Sequence, residues 1–284
     1  MNTIAFYGAG MLGSGLVRHL RAQGFDVNVW NRTLEKARAL EETGARAFTD
    51  ASEAARGADI VHICVRDGEA VDAVLNAALT GIAKGTPIVD HTTVDPHSVA
   101  PRAKRLNDAG YPFLEAPVFM GPPQAESGTG TMLASGPKEL FERLDPHLAK
   151  LASKRQYLGE RIDLAAVYKL LGNSLILGVI AMLKDMFTLG QANGLAPAEA
   201  YKLFEFYSPQ GQIDGRGKRM AQGDFEPTWT LEMARKDARL MLAAAGDHDL
   251  PILRAIQAEL SRAIDSGFGD LDLAAVAKLD ATVR

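Results

Sequence analysis

The residues of this 284-residue chain best suited to chemistry fall at three places. At the N-terminus, Ile4-Ala5-Phe6-Tyr7-Gly8-Ala9-Gly10-Met11-Leu12-Gly13 sets Gly-x-Gly-x-x-Gly after a strand pattern and at the start of a helical one. Gly8 permits a tight turn, Gly10 lets the backbone approach a ligand, and Gly13 allows close packing of helix on strand. Amides at a helix N-terminus attract anions, so the turn Gly8-Ala9-Gly10-Met11-Leu12-Gly13 is a cradle for the pyrophosphate of a dinucleotide. The second strand pattern ends in Asn31-Arg32-Thr33. NAD-preferring sites carry an acid there, which would repel a 2′-phosphate. Arg32 can instead pair with that phosphate, Asn31 and Thr33 add neutral hydrogen bonds, and Lys36 stands one turn into the next helix. The pattern points to NADP(H); the competing reading is a Thr33 helix cap and a solvated Arg32.

The third place is a long apolar segment in which Lys169 is the only charge between Asp163 and Lys184. A helix apolar around its whole circumference is expected to be buried, and a buried ammonium is costly unless paired or used. Burial lowers a lysine pKa toward the range useful for proton transfer. Asn173 follows at i+4 on the same face, where its amide can orient a substrate oxygen. The alternative is a lysine that extends its ammonium to solvent.

The elements that must position these groups follow from periodicity. Strand patterns at 2–7, 26–30, 60–65, 86–90 and 111–116 alternate with helical ones at 11–23, 34–43, 69–79 and 96–109, and 129–135 adds a further strand. Such alternation implies right-handed βαβ units and a parallel sheet covered on both faces. After about residue 160 the pattern is helical, over 164–192, 197–206, 229–245, 250–265 and 271–281. The expected architecture is an α/β Rossmann domain over 1–160 and an all-α substrate and dimerisation domain over 161–284, joined by the long helix, with the site in the cleft between them.

Composition narrows the function classes. Hydrophobic residues at 47% and charged residues at 23% describe a folded chain with ample core. A net charge of −4 leaves no basic excess for nucleic acid. One cysteine, Cys64, excludes an internal disulfide framework, fits the cytoplasm, and reads as a buried small hydrophobe rather than a nucleophile. The uncharged apolar stretch 170–183 is short for a bilayer and contains Gly172, Asn173 and Ser174, so no membrane association is expected. His19, His62, His91, His97, His147 and His248 show no close ligand spacing, so no metal is expected. The long apolar helix offers more surface than one small domain covers, which points to a homodimer or higher homo-oligomer.

These motifs, together with Asp90-His91-Thr92-Thr93, Ala116-Pro117-Val118, Gly223-Asp224-Phe225-Glu226-Pro227 and Lys236-Asp237, resemble the β-hydroxyacid dehydrogenases nearly end to end. That family includes 3-hydroxyisobutyrate dehydrogenase, tartronate semialdehyde reductase and the glyoxylate/succinic semialdehyde reductases. The resemblance implies hydride transfer between a nicotinamide and a small carbonyl or alcohol substrate, with Lys169 as general acid/base and Asn173 holding the substrate. It further implies that Thr93 and the Val65-Arg66 loop line the nicotinamide and that Lys236 reaches the cofactor or substrate edge. The family's substrate loop usually reads Ala-Pro-Val-Ser-Gly-Gly, gripping a carboxylate. Here it reads Ala116-Pro117-Val118-Phe119-Met120-Gly121, and Gly172 replaces the first of two paired asparagines. Loss of the hydroxyl implies a more apolar substrate at Phe119, Met120 and Gly121; alternatively Phe119 and Met120 turn into the core. The architecture is shared with imine reductases, which typically lack the lysine. A non-catalytic NADP(H)-binding protein is the third reading.

Overall fold

A computed structural model of the chain describes residues 2–280. Contacts divide it into two compact units, Met1–Ser174 and Leu175–Arg284.

The first unit opens with β1 (Thr3–Tyr7), α1 (Met11–Ala22), β2 (Asp26–Trp30), α2 (Leu34–Arg38), β3 (Arg46–Phe48) and α3 (Ala51–Ala55). It continues with β4 (Ile60–Ile63), α4 (Gly68–Ala78), β5 (Ile88–Asp90), α5 (Pro96–Asp108) and β6 (Phe113–Glu115). The six strands form one sheet in the order β3-β2-β1-β4-β5-β6, every pair parallel. Both faces are covered, so β1 and β4 are buried along nearly their whole length and are apolar but for Thr3 at the start of β1 and His62 within β4. Strand order reverses between β1 and β4, and the crevice outside the strand C-termini at such a reversal is where doubly wound sheets take ligands. Aspartates start the helices that flank it: Asp50, Asp67 and Asp95 accept backbone amides at the N-termini of α3, α4 and α5.

After β6 come β7 (Val118–Phe119), α6 (Pro122–Ser127), β8 (Thr131–Ala134), α7 (Lys138–Leu148) and β9 (Lys154–Tyr157), the strands forming a small sheet β7-β8-β9. The periodicity suggested neither α7 nor β9. The polar Lys-Arg-Gln-Tyr of β9 lacks an apolar run, and Pro146 sits inside α7. The helix expected over 34–43 stops at Arg38 and resumes only as a 3-10 turn, Glu41–Thr43.

Helix α8 (Leu164–Ala192) runs through the point where the units divide. The second unit adds α9 (Pro197–Tyr201), α10 (Gln210–Gln212), a π-helical turn Ile213–Gly217, α11 (Lys218–Gln222), α12 (Leu231–Ala244) and α13 (Pro251–Ala263). Leu231, Leu250, Leu253 and Leu260 form its core, with Trp229 packed against them. Two buried carboxylates organise it. Asp185 of α8 accepts the Ile252 and Leu253 amides at the start of α13. Asp272 accepts from the Thr228 and Trp229 amides, the Thr228 hydroxyl and Arg216.

One expectation is overturned. The middle of α8 is not buried: Leu171, Leu175, Ile176, Leu177 and Ile180 are all exposed, Leu177 at 71%. The 170–183 stretch is part of a 29-residue helix with the length and apolarity to cross a membrane. An apolar circumference signals that a helix is covered by something, and the described residues of this chain do not supply that cover.

Candidate active site

The glycine turn is built as its spacing requires. Gly8 has φ +113°, and a Cβ there would lie 2.0 Å from the Cys64 carbonyl oxygen. A Cβ on Gly13 would lie 2.1 Å from the Gly8 carbonyl oxygen, so α1 packs onto the turn only through glycine. A Cβ on Gly10 would meet nothing within 4 Å, and this residue opens α1 without a side-chain cap. The helix N-terminus is therefore exposed through an open backbone face, the arrangement that receives a phosphate.

This face borders a cavity of about 610 Å³. Gly8, Gly10, Met11, Leu12 and Gly13 form its floor, and Asn31, Arg32, Thr33 and Lys36 line the end beside β2. Among the described residues no carboxylate lines that end, which carries two cations. Val65, Arg66 and Thr93 line the cavity as well. The expected residues around the glycine turn, the end of β2 and the Val65 and Thr93 loops thus share one cavity, whose volume and open amides fit a dinucleotide. Ala9 is the exception. It is buried, and its amide donates to Asn31 Oδ1 at 3.0 Å while Asn31 Nδ2 donates to the Thr33 carbonyl. Asn31 therefore ties the glycine turn to the end of β2.

Sequence reasoning missed Trp30, Cys64, His91, Thr92 and Pro122, which also line the cavity. The first four sit at or just after strand C-termini, so the rule that ligands bind there was the signal available. Cys64 is half-buried rather than fully buried, and its thiol is pushed up to about 12 by burial and then by the nearby Asp90 charge. It stays protonated and unreactive. Thr92 links the two loops beside it: its amide donates to Asp90 Oδ1 at 2.9 Å and its hydroxyl accepts from Val65 N at 3.1 Å.

The substrate loop divides its side chains. Met120 lines the cavity, whereas Phe119 faces α8, its ring over Gly172 with Lys169 Nζ 4.2 Å from the ring centroid. Gly121 opens α6, its amide donating to Gln124 Oε1. Lys169 is half-buried, and burial, the only cause acting on it, holds its pKa below the usual lysine value. Asn173 is half-buried beside it. Phe119, Gly121, Lys169 and Asn173 do not line the 610 Å³ cavity. Lys236 lies on α12 in the second unit, exposed and 2.8 Å from Asp237.

Behind the cavity wall lies a group of buried polar residues that the sequence did not announce. His91 Nδ1 pairs with the Ala116 carbonyl, His91 Nε2 with His62 Nδ1 at 2.8 Å, and His62 Nε2 with His147 Nε2 at 2.9 Å. A neutral His91 must donate from Nδ1 to the carbonyl, so it accepts from His62, and His62 in turn accepts from His147. His147 Nδ1 is left without a partner among the described residues. Burial lowers His91 and His147 to about 4 and His62 well below its usual value. Beside them Asp90 is raised to about 6 by burial, and Glu115, its register partner on β6, is raised well above the carboxylate range by burial and by Asp90.

Comparison with known proteins agrees with this construction. Residues 3–159 match the model of the NAD binding domain of 6-phosphogluconate dehydrogenase, and residues 164–279 that of the NAD-binding domain of NADP-dependent 3-hydroxyisobutyrate dehydrogenase. Glyoxylate/succinic semialdehyde reductase 2 of Arabidopsis thaliana is 33% identical over 96% of this chain and 78% of its own length. The cytokine-like nuclear factor N-PAC of Xenopus tropicalis is 32% identical over 96% of this chain, which spans about half of that protein's length (52%). An imine reductase from Pseudomonas sp. shares the fold, with a TM-score of 0.90 over 98% of both chains at 24% identity. The matched domain models, the Arabidopsis relative and the dinucleotide cavity lead to one assignment: this chain belongs to the family of NAD(P)-dependent dehydrogenases of the 3-hydroxyisobutyrate dehydrogenase type.

Proposed function

We propose that the protein is an NADP(H)-dependent oxidoreductase acting on a small carbonyl or the corresponding alcohol, with Lys169 as general acid/base and Asn173 orienting the reacting oxygen. The observation that carries this reading is Lys169 itself, an ammonium half-buried on an apolar stretch of α8 and desolvated enough to lower its pKa. A bound nicotinamide supplies or accepts hydride. Lys169 gives its Nζ proton to the oxygen as negative charge develops there, and takes it back in the oxidative direction. Lys36 and Arg32 hold the 2′-phosphate, and the amides of the glycine turn hold the pyrophosphate. Val65, Arg66 and Thr93 border the nicotinamide. The working domains are the dinucleotide-binding part, 1–160, and the helical part, 161–284.

The test is NADPH oxidation against a panel of carbonyls, with Lys169→Ala as control. The variant is expected to bind NADPH as the wild type does and to lose about 10²- to 10⁴-fold in turnover. Full activity in the variant would remove Lys169 from the mechanism. A second reading, an imine or ketone reductase with an apolar pocket, is favoured by Phe119 and Met120; turnover of imines or uncharged ketones that survives Lys169→Ala would select it. NADPH binding without turnover of any substrate would select the non-catalytic reading.

The exposed apolar face of α8 supports a homodimer or higher homo-oligomer. We read the protein as cytoplasmic and this face as a subunit interface rather than a membrane span, because Lys169, Gly172 and Asn173 interrupt it. Recovery in the soluble fraction without detergent is the expected result.

A further inference from the structure

The ring of Phe119 rests on the backbone of α8 at Gly172. This seat exists only because residue 172 has no side chain: a Cβ there would lie 2.3 Å from Cζ and 2.7 Å from Cε1 of the ring. Gly172 lies inside a regular helix and is not among the residues with positive φ, so its backbone does not demand glycine. Glycine in a helix interior is unfavourable relative to alanine, and here the ring supplies the compensating reason for it. One turn earlier, Lys169 puts Nζ 4.2 Å from the centroid of the same ring. Burial alone lowers its pKa, with no carboxylate contributing. The next residue of the loop, Met120, faces the dinucleotide cavity.

We propose that Phe119 and Gly172 are a matched pair that seats Lys169 and sets the substrate class as neutral aldehydes or ketones carrying no carboxylate. The face of an aromatic ring bears partial negative charge, so it holds an ammonium and repels an anion. A phenyl ring also has no hydrogen-bond donor, so a carboxylate set against it would lose its water without gaining a partner. A neutral substituent incurs no such penalty and gains apolar contact. In the reductive direction hydride from NADPH adds to the carbonyl carbon, the C=O π pair moves onto oxygen, and the Lys169 proton passes to that oxygen, leaving NADP⁺ and an alcohol. Phe119 is a positioning and specificity-determining residue in this step. The proposal rests on the assignment of Lys169 as the acid/base group.

The experiment compares wild type, Phe119→Ser, Gly172→Ala and the double variant. Three quantities are read: Tm, NADPH affinity by fluorescence titration, and kcat/KM for two aldehydes matched in length, one ending in a carboxylate. Gly172→Ala alone is expected to lower Tm and kcat, because its methyl group collides with the ring. Adding Phe119→Ser is expected to restore Tm, since alanine is then the better helix residue. Phe119→Ser is expected to shift the kcat/KM ratio about tenfold or more toward the carboxylate aldehyde, with NADPH affinity unchanged. A Gly172→Ala variant as stable as the wild type would overturn the matched pair. An unchanged ratio would overturn the specificity assignment. If no variant turns over either aldehyde, the acid/base reading falls and the specificity assignment with it, while the Tm comparison still decides the pair.

Discussion

At the scale of single residues, charge is the discriminating quantity. Arg32 is exposed at the cavity end beside β2, which none of the described carboxylates lines. Arg32→Ala should weaken NADPH by about ten- to a hundredfold, the value of one charge-assisted hydrogen bond, and leave NADH nearly unchanged. Equal losses for the two cofactors, read by fluorescence titration, would defeat the 2′-phosphate assignment. The buried titratable residues behind the cavity oppose one another in acid. His91 and His147, lowered to about 4 from 6.5, charge first in the unfolded chain, so stability is lost as pH falls from about 6.5 toward 4. Asp90 has the reverse sign. With its folded value raised to about 6 from 3.8, the folded chain holds the proton more tightly, and stability is lost as pH rises through that window. Asp90→Asn removes the opposing contribution while keeping an acceptor for the Thr92 amide. The variant should therefore lose stability more steeply than the wild type between pH 6 and pH 4. Parallel Tm curves across that range would show that Asp90 does not titrate there.

At the scale of elements, Asp272 is the more heavily bonded of the two buried carboxylates that organise the second unit. Asp272 is fully buried and accepts the amides of Thr228, Trp229 and Ala274, the Thr228 hydroxyl and the Arg216 guanidinium, and these contacts hold its pKa well below the usual range. Asp272→Asn turns one acceptor into a donor that faces amide donors and leaves Arg216 without its counter-charge, at a cost of about 3 kcal/mol. Faster hydrogen exchange over 213–230 and 268–276, with the sheet of the first unit unchanged, is the expected signature; uniform exchange would deny Asp272 this local role. Elements of this kind mark where sequence reasoning ended. The strand over 26–30 and the helix over 164–192 were legible because their apolar periods are long and bounded by turn residues. The dinucleotide turn was legible because each glycine answers a local steric demand. The histidine chain was not, since His62, His91 and His147 are distant in sequence and meet only through the pairing of β4 with β5 and the packing of α7. The seating of Phe119 on Gly172 is equally hidden: both depart from the family pattern, but nothing in a linear spacing says that one makes room for the other.

At the scale of the whole molecule, the unresolved demand is the apolar face of α8. Leu171, Leu175, Ile176, Leu177, Val179 and Ile180 are exposed together, and a run of this size is unusual for a monomer in water. A second copy of the chain is the simplest cover, because a two-fold axis brings the same face against itself and needs no other component. A stable pairing buries about 1,600 Å² in total, which a helix of 29 residues can supply only if neighbouring elements join it. The loss from charging its centre should therefore be large. Leu177→Glu with Ile180→Glu sets two carboxylates where the interface would be driest, and a repeated pair faces its own copy across the axis. Sedimentation equilibrium at micromolar concentration is expected to return a dimer or larger assembly for the wild type and a folded monomer for the double variant. A wild-type chain that sediments as a clean monomer would leave the exposed face without a protein partner. A chain that stays dispersed only in detergent would assign the face to lipid, for which α8 has the length. If instead the variant is monomeric and still binds NADPH with wild-type affinity, the apolar face serves assembly and the dinucleotide cavity of the first unit is complete without it.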